Sequence, residues 1–227
     1  MTKNNTKPHI FLDLDQTLIS AEASEEHDFD KYKEKSKKFS FEDMDSYYII
    51  FARPGLQKFL TYLFDNFNVS IWTAASKDYA VFIIDKLILK DHPDRKLDFI
   101  LFSYHCDISY HKKDSSKDLS MLWDVYKLKG YNKDNTIILD DYSEVYQTQP
   151  NNCVIAIPFN FTKNNSENDD FLIKLIPELE KMKNKMINSN SINTNNINKI
   201  LSNKLITKFT LKKEKGKALS RSRRKID

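Results

Sequence analysis

Two aspartates, Asp13 and Asp15, stand two residues apart where the apolar run Ile10-Phe11-Leu12 stops, and Thr17 follows two residues later. On an extended chain, residues two apart face one side, roughly 7 Å from each other. Like charges that close repel, and partial burial raises the cost, so the arrangement calls for a cation or a shared proton. Two further segments end in the same manner: VSIWTAAS (69–76) turns polar at Thr73, and TIILDDYS (136–143) turns polar at Asp140 and Asp141. Brought together, these groups make an oxygen-rich, strongly negative pocket suited to a hard cation such as Mg²⁺. Phosphoryl transfer is the matching chemistry, because a metal neutralises phosphate while a carboxylate attacks phosphorus. Asp13 would be the nucleophile. Asp15 would protonate the leaving alkoxide and later deprotonate the attacking water. Thr73 would hydrogen-bond a non-bridging oxygen, and Lys117, in SSKDLSML, is the candidate cation for transition-state charge.

Positioning these groups requires strands whose ends converge. Apolar runs predict strands at 10–12, 68–72, 97–104, 135–140 and 152–159. Between them, helical spacing is read at 53–67, where Leu56, Phe59, Leu60, Leu63, Phe64 and Phe67 recur, and at 76–89, 117–130 and 168–183. FSFEDMDSYYIIFA (39–52) suggests a hairpin turning near Met44 and Asp45, whereas 21–40 is too polar to be core. Strands alternating with helices predict an α/β fold, a doubly wound, mainly parallel sheet that binds ligands beyond the carboxyl ends of its strands.

The 227 residues, 40% hydrophobic, suit one domain plus a tail, and no apolar run approaches a membrane span. The polar start MTKNNTKPHI carries no secretory signal, and two unpaired cysteines, Cys106 and Cys153, point to a reducing, intracellular setting. His105, Cys106 and His111 lack an evident fourth zinc ligand. Charge is uneven: residues 181–227 hold fourteen Lys/Arg against Glu214 and Asp227, so the first 180 residues carry −8 within a total of +4.

DLDQTL (13–18), WTAAS (72–76), KDLS (117–120) and LDDYSEVY (139–146) resemble, in order, the four motifs of haloacid-dehalogenase (HAD) superfamily phosphatases. With RPG at 53–55 and QPNNCVIAIPF (149–159) before a terminal helix, residues 8–183 are most similar to the FCP/SCP-like branch. That branch includes the small CTD phosphatases and NLI-interacting-factor-like proteins, which act on the C-terminal domain (CTD) of RNA polymerase II. The resemblance implies a HAD-like Rossmannoid sheet and the roles named above. Mg²⁺ would be held by Asp13, the backbone carbonyl of Asp15, and Asp141. Asp140 would orient Lys117 or a metal-bound water, and Thr17 would support the acids. A phosphorylated protein is the implied partner, in cytoplasm or nucleus. A catalytically silent scaffold is one alternative, which retention of both Asp13 and Asp15 opposes; a nucleic-acid 3′-phosphatase is another.

Tyr142-Ser143 stands where relatives commonly have Ser-Pro, Ser103 where an Arg often precedes the Cys, and the stretch from Cys106 to Lys117 is slightly long. From Asp13 to Thr73 there is room for a small β insertion and no large cap, so an open pocket facing a macromolecule is expected. Residues 184–227, basic and Asn-rich, read as a disordered tail. Alternatively Ile197, Ile200, Leu201, Leu205 and Phe209 would line one face of a basic amphipathic helix. RSRRK (221–225) would serve as a nuclear address or a nucleic-acid contact.

Overall fold

The computed structural model describes residues 7–189 and 191–205. The chain opens with β1 (His9–Leu12), leaves it through the Asp13–Leu18 turn, and enters β2 (Ile19–Ala23), α1 (Phe29–Ser36), β3 (Phe41–Met44) and β4 (Tyr48–Ala52). Then come α2 (Leu56–Asn66), β5 (Asn68–Trp72), α3 (Lys77–Ile83, continuing as a wider turn over Ile84–Leu89), β6 (Ile100–Leu101) and α4 (Ser103–Lys113). A wide helical turn at Met121–Val125 precedes β7 (Thr136–Asp140), α5 (Ser143–Thr148), β8 (Cys153–Ile155), α6 (Phe171–Ser189) and α7 (Asn195–Leu205).

Five strands form one parallel sheet in the order β6-β5-β1-β7-β8. Side-chain alternation splits its core in two. Ile10 and Leu12, with Val69, Ile71, Ile137 and Leu139, meet α2, α3, α6 and α7 on one face. Phe11, Trp72 and Ile138 face the other way, toward Cys106, Leu119, Leu122 and Val145. Helices on both faces explain why the central strands read as unbroken apolar runs. The fold is α/β and doubly wound, as the alternation of segments predicts.

The insertion after β1 is small: an antiparallel sheet in the order β2-β4-β3, with α1 beside it. Asp45 and Ser46, both at positive φ, make the β3–β4 turn where the sequence places it. Phe51 stacks on Phe161 at 3.6 Å, and Phe39 and Phe159 join them, so a separate aromatic cluster ties the insertion to the segment after β8.

The stretch 21–40, read as too polar for the core, forms α1, N-capped by Asp28, which buries none of its residues. Three local expectations need correction. The strand expected at 97–104 is only two residues long, and the chain turns helical at Ser103. Phe102 N donates to His105 Nδ1 at 3.1 Å, so the start of α4 is closed by its own side chain. The helix expected from 117 is reduced to Met121–Val125, because side chains from elsewhere capture the backbone around Lys117. Finally, the segment from 184, read as disordered, is largely helical over its described residues. α6 runs to Ser189, and α7 buries Ile197 and Leu201 on the main core, on the apolar face read as the alternative. Phe209 and RSRRK lie outside the described residues.

Candidate active site

Register places the acids. Leu12 pairs with Ile71 on one side and Leu139 on the other, so Asp13 follows the central strand with Thr73 and Asp140 on the flanking strands. Asp13 N donates to Leu139 O at 3.0 Å, extending the sheet one residue beyond β1. The chain then folds back: Thr17, Leu18 and Ile19 all donate to Leu14 O, and Gln16 takes φ 60°, a strained value for a non-glycine residue. Neighbours hold that turn. Phe159 N donates to Gln16 O at 2.7 Å, and buried Arg53 donates to Thr17 O at 3.0 Å and Ile157 O at 2.9 Å. Arg53 also forms a two-pronged ion pair with Asp169, at 2.8 and 2.9 Å, beside the Phe171 ring.

The cation demanded by the acidic strand ends is Lys117. Its Nζ donates to Asp13 Oδ1 and to Asp140 Oδ2, each at 2.6 Å, and all three side chains are almost wholly buried. Thr17 Oγ1 donates to the other Asp13 oxygen at 3.1 Å, and Tyr142 N to the other Asp140 oxygen at 2.8 Å. Burial alone would lower the Lys117 pKa, but Asp13 and Asp140 outweigh it and hold the ammonium well above its ordinary range. Asp140 is pushed up, to about 6, by burial, against the pull of Lys117 and with the push of Asp13. The two directions look opposed for one ion pair. Burial acts on both: at Lys117 two carboxylates outweigh it, whereas at Asp140 it outweighs the pull of the one ammonium. A proton therefore binds Asp140 more readily than in water, and the ionised trio carries a net negative charge.

That residual negative charge bears on metal binding. Among the described residues, Asp13, Asp140 and half-buried Asp141 form the cluster able to hold an ion, with one oxygen from each within 4.8 Å of the others. An all-carboxylate donor set fits a hard divalent cation. Cys106 lies close by, its Sγ 3.5 Å from Thr73 O, but burial pushes its thiol up to about 11, so it stays neutral.

Thr73 is buried at the end of β5, where its hydroxyl oxygen accepts from Ala75 N at 3.2 Å and keeps its own proton to donate. Asp15 is less buried and turns to another partner: Tyr79 Oη donates to Asp15 Oδ1 at 2.7 Å. Three supporting residues escaped the sequence reading. Tyr79 is one. Gln149 is a second, donating to Lys117 O at 2.7 Å and accepting from Leu119 N at 2.9 Å. Ser109 on α4 is the third, donating to Ser115 O at 2.6 Å and accepting from Asp118 N at 3.0 Å. No periodicity marks such residues. The stretch from Cys106 to Lys117 is occupied by α4 and a turn in which Asp114 takes φ 57°.

Comparison with known proteins agrees with this geometry. The family model described as NLI interacting factor-like phosphatase matches residues 8–190. A relative from Invertebrate iridescent virus 6, "Putative CTD phosphatase-like protein 355R", is 51% identical over 171 residues, 74% of this chain and 94% of its own length. The protein of the same name from Invertebrate iridescent virus 3 is 42% identical over 192 residues, 80% of this chain and all of its own. Among solved structures, that of Fcp1, an essential RNA polymerase II CTD phosphatase, superposes with a TM-score of 0.54 at 16% identity, covering 89% of this chain and 72% of that one. At that identity the match speaks for the fold alone, and the fold is the same. With its motif acids gathered around one lysine and a family model spanning nearly all of the described domain, this chain belongs to the NLI interacting factor-like phosphatase family.

Proposed function

We propose that this chain is a Mg²⁺-dependent phosphoprotein phosphatase, a phosphoric monoester hydrolase acting on phosphoserine or phosphothreonine through an aspartyl-phosphate. Phosphorylated CTD repeats of RNA polymerase II are the favoured substrate class, on the names that the viral relatives carry. The observation that carries this reading is the shared Lys117 ammonium, 2.6 Å from both Asp13 and Asp140. It restrains the Asp13 carboxylate and leaves a positive group where phosphate oxygens must sit.

In the first half-reaction Asp13 attacks phosphorus, the bond to the seryl oxygen breaks, and Asp15 gives its proton to that oxygen. In the second, water loses a proton to Asp15 and attacks the same phosphorus, and the Asp13–phosphorus bond breaks. Thr73 and Lys117 bind the non-bridging oxygens throughout. Mg²⁺, held by Asp13, Asp141 and the Asp15 carbonyl, would supply charge neutralisation of the phosphate. The small insertion leaves the strand ends without a helical cap domain among the described residues, which suits a phosphorylated polypeptide better than a metabolite.

The test compares p-nitrophenyl phosphate, a phosphoserine CTD peptide and a 3′-phosphorylated oligonucleotide, with Mg²⁺ and with chelator. Turnover of the first two, lost with chelator and in Asp13→Asn, supports the reading. Preference for the oligonucleotide, or full activity in Asp13→Asn, rejects it.

A further inference from the structure

Asp15 gives one carboxylate oxygen to Tyr79, and Tyr79 is itself well fixed. Tyr79 is 5% exposed and sits in the first turn of α3, where its backbone N–H donates to the Ser76 cap at 3.4 Å. Its ring is met edge-on by Tyr48 of β4, with centroids 5.6 Å apart and planes at 85°. The phenol is thus gripped from the main sheet by a capped helix and from the insertion by an aromatic contact. Its hydroxyl reaches 64 residues back in sequence to Asp15 Oδ1 at 2.7 Å.

A carboxylic acid has two oxygens, and only one can present its proton to a given leaving group. A phenol near neutral pH can donate to a carboxylate or to the carbonyl oxygen of the acid. We propose that Tyr79 is the positioning residue for Asp15: by occupying Oδ1 it confines the transferable proton to Oδ2 and locks the carboxyl plane toward the leaving oxygen. The β insertion, through Tyr48, is then part of the support for proton transfer. In the step concerned, the bond from phosphorus to the seryl oxygen breaks as the Oδ2 proton passes to that oxygen. Asp15 is left as a carboxylate, whose Oδ1 still accepts from Tyr79, until water returns the proton. This inference rests on the reading of Asp15 as the acid and base of the proposed reaction.

A general acid matters most when the leaving group is a poor one. Serine alkoxide needs the proton; p-nitrophenolate leaves as a stabilised anion. The measured quantity is therefore the ratio of kcat on a phosphoserine peptide to kcat on p-nitrophenyl phosphate, in the full chain with Mg²⁺. Tyr79→Phe keeps the ring and its contact with Tyr48 and removes one oxygen. It is expected to lower that ratio about tenfold or more. Asp15→Asn should lower it further, and adding Tyr79→Phe to Asp15→Asn should change it by less than about twofold, because the two act as one unit. A ratio within about twofold of wild type in Tyr79→Phe overturns the inference, whatever happens to the absolute rates. So do effects of the two substitutions that simply multiply. A wild-type chain inactive on both substrates removes the proposed function and this inference together, whereas an active wild type with an unchanged Tyr79→Phe ratio removes this inference alone.

Discussion

Lys117 and Asp13 lie 104 residues apart in sequence, and their charged groups meet at 2.6 Å in a place water barely reaches. The same ammonium also serves Asp140. One cation between two buried carboxylates is under-compensated, which makes the trio a poor stability device and a good receptor for further positive charge. Its members should therefore respond to substitution in distinguishable ways.

Lys117→Met should lower turnover by at least about a hundredfold, since it removes the group proposed to face the phosphate oxygens. It also leaves Asp13 and Asp140 facing each other in the interior. A loss of about 3–5 kcal/mol at pH 8 is expected in urea unfolding. Much of this loss should be recovered in Lys117→Met/Asp140→Asn, where one of the two charges is removed. A Lys117→Met protein as stable as wild type would show that the trio is not a buried charged unit.

Asp140 supplies a pH test with a definite sign. Its folded-state pKa, pushed up by burial to about 6, exceeds the ordinary carboxylate value of 3.8. Between these values the folded chain binds more protons at this site than the unfolded one. The stabilisation is therefore full below about 3.8 and is lost as pH rises through about 6. Asp140→Asn lacks this dependence. The difference in Tm, wild type minus Asp140→Asn, should be larger at pH 4 than at pH 7. The opposite trend would mean that attraction to Lys117 outweighs burial.

Gln149 pairs with Lys117 O and Leu119 N much as a neighbouring strand would, without being one. Gln149→Ala removes both bonds and should cost about 1–3 kcal/mol in stability. The Leu119 amide should lose its protection from hydrogen exchange, and turnover should fall as the lysine loses its fixed approach to Asp13. Leu119 exchanging as slowly as in wild type would show that Ser109 alone holds this loop.

Helix α7, the last among the described residues, protects an exposed edge. Asn198 on α7 accepts from Ile155 N at 3.1 Å and donates to Cys153 O at 2.8 Å, so its amide completes the outer side of edge strand β8. Thr194 Oγ1 adds a bond to Cys153 O at 2.9 Å. A chain ending at 190, where the family match stops, should be less stable and should associate through the bare edge as concentration rises, measurable by sedimentation. Asn198→Ala in the longer chain should cost about 1–3 kcal/mol. A shortened chain that stays monomeric and equally stable would make α7 a mere appendage.

Much of this was legible beforehand, for a definite reason. A strand covered by helices on both faces must be apolar throughout, so β1, β5 and β7 announce themselves, and polar residues at their ends mark where the cover stops. Asp13, Thr73 and Asp140 could be assigned to one crevice because parallel strands share a carboxyl end. Short or polar elements were not legible in this way. β6 is only two residues long, α1 has no buried face, and α4 is polar enough to hide its period.

By itself, then, the order of residues determined the fold class, the hairpin near Asp45 and the strand ends that carry the acids, because these follow from local periodicity and from the burial of neighbouring strands. Tertiary structure alone decided that Lys117 would join Asp13 as well as Asp140, that Lys117 would lie in a loop and not on a helix, that Asp15 would turn to Tyr79, and that α7 would close the β8 edge. Each of those outcomes is a hydrogen bond or ion pair between residues distant in sequence. A contact of that kind repeats at no fixed interval, so it becomes visible only once packing has brought its two halves together.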